Sequence, residues 1–126
     1  MKKKQISLGN AQAVGPYSPA LLVDDRLYIS GQIAMDPSDG SLIEGDVQTQ
    51  CHRIMQNIAF LLREAGMGIS DLVQCRIYLA DMNDFPAVNA VYQSYLSEPY
   101  PVRATVEVSR LPKDVSLEIE ALAVRG

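Results

Sequence analysis

The sequence carries one histidine, two cysteines and a single basic run, Lys2-Lys3-Lys4. Each shortage removes a class of function. With His52 alone, neither a Ser-His-Asp triad within one chain nor a histidine-based metal cluster can be assembled, so no metal site is expected. Cys51 and Cys75 form no Cys-x-x-Cys pattern, as suits two buried, reduced thiols in a cytoplasmic protein. The formal net charge is −4, whereas nucleic-acid binding draws most of its affinity from clustered cations. No stable nucleic-acid partner is expected, and the lysine run reads as a solvated tail. Gln5, Ser7, Asn10 and Gln12 interrupt the apolar stretch that a signal peptide would need after those lysines. No segment approaches the ~20 apolar residues of a membrane span, so no membrane partner is expected either. Gly31, Gly40 and Gly45 match no phosphate-cradling spacing.

What is present fits an ordinary globular domain. The 126 residues are 48% hydrophobic and 21% charged, and they predict a single domain over 1–126. A chain this short leaves much of its surface unburied, and oligomerisation is a natural cover.

Leu21-Leu22-Val23 and Leu27-Tyr28-Ile29 flank the polar pair Asp24-Asp25 and read as a hairpin. Asp36-Pro37-Ser38-Asp39-Gly40 is a loop by composition. Val47, Cys51, Ile54, Met55, Ile58, Leu62 and Ala65 recur at helical spacing, with Asp46 at the start and Gly66 past the end, so a helix is predicted over 46–65. Val73, Cys75, Ile77 and Leu79 alternate as a strand would. A second helix is expected from Asn83-Asp84, with Pro86 in its first turn and Val88, Val91, Tyr92, Tyr95 and Leu96 as its stripe. Two strands follow, at 102–108 and 115–121, separated by the turn Leu111-Pro112-Lys113-Asp114. Pairing them as an antiparallel hairpin would put Arg103, Thr105, Glu118 and Glu120 on one side of the sheet. The fold class is α+β, a sheet with two helices on one face. Its other face, mixing charge with Leu122 and Val124, calls for a covering subunit.

Two readings of Arg103 and Glu118 follow from the residues alone. One is a structural ion pair. In the other, the arginine fork grips a substrate carboxylate while the glutamate handles water. Tyr17, after the turn at Gly15-Pro16, and Ser30, at a strand end, are weak candidates by themselves. His52 lies off its helix's apolar stripe and reads as a surface histidine.

Together, Gly15-Pro16-Tyr17-Ser18, Ser30-Gly31-Gln32-Ile33, Asp81-Met82-Asn83-Asp84-Phe85 and the C-terminal series resemble the Rid family. That series runs from Pro101-Val102-Arg103 through Val106-Glu107-Val108 and Leu111-Pro112-Lys113-Asp114 to Glu118-Ile119-Glu120-Ala121. These are the reactive intermediate deaminases, also called YjgF-like or L-PSP proteins, and the chain resembles their RidA-type members. The resemblance implies a chorismate-mutase-like α+β fold and a homotrimer with active sites in the clefts between subunits. It implies hydrolysis of 2-aminoacrylate, 2-aminocrotonate and their imine tautomers, which pyridoxal-phosphate dehydratases release, to 2-keto acids plus ammonia. No cofactor is implied, because an imine is already electrophilic. Arg103 falls on the carboxylate-binding arginine and Glu118 on the residue that positions water. Tyr17, Ser30, Gly31 and Thr105 fall on substrate-binding positions, although many members carry cysteine where Thr105 stands. The rival functions are a keto-acid-binding regulatory module without turnover, an endoribonuclease and a chaperone-like scaffold.

Overall fold

The computed structural model describes residues 2–11, 13 and 15–126; Met1, Gln12 and Val14, the last of which opens the segment leading to Tyr17, lie outside the described residues. The expected hairpin is present as β2 (Ala20–Val23) and β3 (Arg26–Gln32), paired antiparallel with Asp24 in the left-handed region at φ 52°. The lysine run is not a free tail. Lys3–Ile6 forms β1 and pairs antiparallel with β2 from Lys3↔Val23 to Ile6↔Ala20. Its three leading side chains stay exposed, whereas Ile6 and Leu8 are buried and anchor the segment. Lysines on an edge strand also deter pairing with another chain.

The first predicted helix is α1 (Val47–Glu64), with the Asp46 side chain accepting from the Thr49 N–H at 2.8 Å. It ends in a Schellman motif: Met67 N–H reaches Leu62 O at 2.8 Å, Gly66 N–H reaches Arg63 O at 3.0 Å, and Gly66 takes φ 74°. Its buried face is Cys51, Ile54, Met55, Ile58, Leu61 and Leu62, together with Asn57. The second is α2 (Phe85–Ser94), entered through a 3-10 turn at Met82–Asp84 with Pro86 in its first turn. Val88, Val91 and Tyr92 face the core.

The remaining strands are β4 (Leu72–Leu79), β5 (Val102–Glu107) and β6 (Leu117–Val124). All six strands make one mixed sheet in the order β1-β2-β3-β6-β4-β5. Both helices pack on one face of it, as expected for α+β. The anticipated β5–β6 hairpin does not form, because β4 lies between them, parallel to β5 and antiparallel to β6. The reason is tertiary. The β4–α2–β5 connection is a crossover that returns β5 parallel to β4, while β6 fills β4's other edge.

This insertion changes which side chains share a face. Glu118 is opposite Tyr78 and Glu120 opposite Arg76, on the face away from the helices. Arg103 is opposite Cys75 and Thr105 opposite Ile77, both buried residues of the helix-covered face. The expected same-side grouping of Arg103 and Thr105 with Glu118 and Glu120 is therefore overturned. Val73 also departs from its expected face: an irregularity between Leu72 and Gln74 leaves it exposed, and Leu72 is buried instead.

Asn57 is the fully buried polar group of α1. Its amide donates to Met35 O at 2.8 Å and accepts from Arg53 Nε at 3.1 Å, tying the segment after β3 to the helix. Asn57→Leu should lower unfolding stability by about 1–3 kcal/mol in urea titration, since it strands a buried carbonyl.

Candidate active site

Where β3 meets β6, the ladder is irregular between Ile29 and Gln32. Ser30 and Gly31 occupy that irregularity, and a cavity of about 550 Å³ opens beside them. Its apolar wall includes Leu8, Ala11, Pro19, Ile33 and Met35, and its polar groups include Tyr17, Ser30, Lys113, Glu118 and Glu120. Such a mix, mostly apolar with a few convergent polar groups, is what small-molecule sites present.

Local bonding holds the polar groups in place. Ser30 Oγ donates to Ser18 O at 2.6 Å, and Ser30 N–H donates to Pro19 O at 3.0 Å, so the segment after Tyr17 is laced to β3. The Ser30 hydroxyl thereby faces the cavity as an acceptor. Tyr17 is half exposed at the rim. Gly31 leaves room for the Glu118 carboxyl as it lies here: a Cβ there would lie 2.8 Å from Glu118 Cδ and 3.1 Å from its Cγ, so the carboxyl would have to swing aside. The missing side chain is what admits the Glu118 carboxylate.

Glu118 is partly buried, and its carboxyl is pushed above the ordinary range first by burial and then by the Glu120 charge. Glu120 is differently placed. It accepts from the Tyr78 hydroxyl and pairs with Arg76 at 3.4 Å, so its charge is partly compensated. Among the described residues, Glu118 has no hydrogen-bond donor of this kind. Two carboxylates on one strand thus differ in surroundings, one anchored by neighbours and one without a donor.

Arg103 and Thr105 are elsewhere. Arg103 Nη1 donates to Asn89 Oδ1 at 2.6 Å, and its guanidinium lies 5.2 Å from the Phe85 ring centroid and 5.3 Å from that of Tyr92. It lines a separate hollow of about 390 Å³ with Asn89, Tyr92, Leu96 and Tyr100. Thr105 Oγ1 and Tyr92 Oη are buried without a hydrogen-bond partner. The chain therefore brings together Tyr17, Ser30, Gly31 and Glu118, and holds Arg103 and Thr105 across the sheet on its edge strand.

Lys113, Glu120 and Asn89 were not singled out for roles from the sequence. The alternation that exposes Glu118 also exposes Glu120, which was a legible signal; the partners of Arg103 were not. His52 is exposed, with Nδ1 2.9 Å from Tyr95 Oη. Burial raises both thiols, Cys51 to about 12, as inert core cysteines require. No three His, Cys, Asp or Glu side chains among the described residues gather as a metal-holding group. No helix among them is long and apolar enough to cross a membrane.

Removing the Glu120 charge should release one of the two causes that raise Glu118. In Glu120→Gln the Glu118 carboxyl midpoint, followed by carbon-13 NMR titration, should fall, yet stay above an ordinary glutamate because burial remains.

Residues 8–125 match the family described as endoribonuclease L-PSP. The chain is 45% identical over 114 residues to the human 2-iminobutanoate/2-iminopropanoate deaminase, covering 90% of this chain and 83% of that protein. It is 44% identical over 124 residues to a RutC family protein of Pyrococcus horikoshii, covering 98% of each. Among solved structures, Escherichia coli TdcF with bound serine superposes with a TM-score of 0.90 at 37% identity, covering 98% of this chain and 99% of that one.

Proposed function

The chain belongs to the Rid family, the YjgF-like or L-PSP proteins, and from that premise we propose that it hydrolyses 2-imino and enamino acids to 2-keto acids and ammonia. Its substrates would be 2-aminoacrylate, 2-aminocrotonate and their imine tautomers, released by pyridoxal-phosphate dehydratases. The observation that carries this reading is Glu118: a half-buried carboxylate with a raised pKa, admitted to a cavity by Gly31 and left without a donor. The name of the human relative supports the same chemistry.

Glu118 would take a proton from water as its oxygen attacks C2 of the imine. The same carboxyl would then return that proton to nitrogen to give a carbinolamine, take the carbinolamine's O–H proton and pass it to the amine, so that the C–N bond breaks and ammonia leaves as the C2 carbonyl forms. A carboxyl titrating above the usual range suits this double duty, since it both accepts and donates readily. Ser30 and Tyr17 would orient the substrate. The C=N carbon is electrophilic without help, so these steps call on no cofactor. RNA is a poor occupant for a cavity whose wall includes two carboxylates, Glu118 and Glu120.

The substrate's carboxylate needs the arginine fork, which one protomer keeps on the other face. The reading therefore requires Arg103 and Thr105 of one subunit to close over Tyr17, Ser30, Gly31 and Glu118 of the next. Two different surfaces meeting in this way form a heterologous contact that closes into a ring, and a homotrimer is the proposed ring. The apolar side chains left outward on the open face, among them Tyr28, Val102 and Val106, would be covered in it.

Adding the protein to a threonine dehydratase reaction should speed 2-keto acid appearance and imine loss together; binding of keto acid without turnover would favour the regulatory module. Activity should fall as pH drops through the raised Glu118 pKa, because the protonated acid cannot activate water. Arg103→Lys keeps charge but loses the bidentate fork, and kcat/KM should drop roughly 10- to 150-fold. Mixing separately inactive Arg103→Ala and Glu118→Ala chains, after joint refolding, should restore about a quarter of wild-type activity by random assembly. No recovery would place both residues in one protomer's site and sink the shared-site reading.

A further inference from the structure

Arg103 sits on an edge strand, where nothing in the sheet restrains its long side chain. It is nonetheless held on three sides. Asn89 Oδ1 accepts from Nη1 at 2.6 Å, and the Phe85 and Tyr92 rings lie 5.2 and 5.3 Å from the guanidinium carbon. All three come from α2, whose residues at 85, 89 and 92 share one helix face by i, i+4 and i+3 spacing. Resting on the proposed role of Arg103 as carboxylate anchor, we propose that Asn89 is a positioning residue that, with Phe85 and Tyr92, presets the arginine fork for an anionic substrate.

Two features support this. Asn89 is the one hydrogen-bond acceptor that the guanidinium meets among the described residues, and it engages Nη1 alone, leaving the Nε–Nη2 edge for a carboxylate. The clamp is also neutral. Amide and aromatic faces restrain the cation without cancelling its charge, and no carboxylate of the described residues lies within ion-pair distance of Arg103. An acid at position 89 would hold the fork as well and compete with the substrate. Positioning by a neutral partner keeps the full charge available, and preorganisation of this kind lowers the ordering cost of binding.

The test compares Asn89→Ala, Asn89→Asp and Arg103→Lys by calorimetric titration with 2-ketobutyrate, the keto acid that hydrolysis of 2-aminocrotonate would release, alongside melting temperature and light-scattering mass. Asn89→Ala should weaken keto-acid binding about 5- to 10-fold, a part of the roughly 10- to 150-fold that a hydrogen bond to a charged group is worth, because the contact orders the fork without touching the ligand, with melting and mass unchanged. Asn89→Asp should retain the contact yet weaken binding at least as much, because its charge repels the incoming carboxylate, and the loss should shrink with added salt. A purely structural asparagine would leave binding unmoved, or would change it only alongside melting or mass; either result overturns the proposal. If Arg103→Lys abolishes binding while both Asn89 variants bind normally, positioning fails and the carboxylate anchor stands. If Arg103→Lys also binds normally, the anchor falls and the positioning role falls with it.

Discussion

The alternation of β6 is the constraint on which the site depends. Leu117, Ile119, Ala121 and Ala123 are buried against the helices, and a strand's period of two then sends Glu118 and Glu120 to the opposite face. Because β3 and β4 flank β6 on both edges, it has no freedom to slip. A shift of one residue would push two carboxylates into the core and bring four apolar side chains out, a cost no surface interaction offsets. Glu118 is thus placed by hydrophobic burial of its neighbours rather than by any contact of its own. Gly31 on β3 then supplies the space that the carboxylate needs.

Electrostatics separate the two acids that this alternation delivers together. Glu120 finds Tyr78 and Arg76 on β4 and is anchored by them. Glu118, two residues away with its carboxyl against Gly31, keeps the desolvation and the like charge without a compensating donor. The anchored acid therefore tunes the free one. The proposed role of Glu118 in proton transfer rests on that asymmetry more than on the mere presence of two glutamates.

The position of β5 has the opposite consequence. As an edge strand beside α2, it turns Arg103 toward aromatic rings and an amide on the helix side, and its other face leaves Val102 and Val106 exposed at 66% and 43%. Exposed apolar side chains next to an incomplete polar site are what a subunit contact would cover. The division of the proposed catalytic residues between two faces makes assembly part of the chemistry in this reading, not merely a source of stability.

Several elements were legible before any coordinates. The helix beginning at Asp46 and ending at Gly66 follows from period 3.6 and from caps that are local chemistry, and so does α2 with its early proline. The β2–β3 hairpin follows from two β-rich runs around an acidic turn. The motifs around Tyr17, Ser30 and Glu118 also marked residues that do line one cavity. The lysine run misled because its strand is held by Ile6 and Leu8 and by backbone pairing with β2, none of which composition displays. The β5–β6 hairpin misled for a deeper reason. Alternation assigns side chains to two faces of each strand separately, but which faces coincide depends on the strand that lies between. Inserting β4 reversed the relation of Arg103 to Glu118, and only long-range pairing could decide it. What the amino-acid order determined alone was the local periodicity, the caps and the chemistry of each side chain; what the tertiary structure decided was the strand order, because hydrogen bonding between distant segments is set by packing of the whole core.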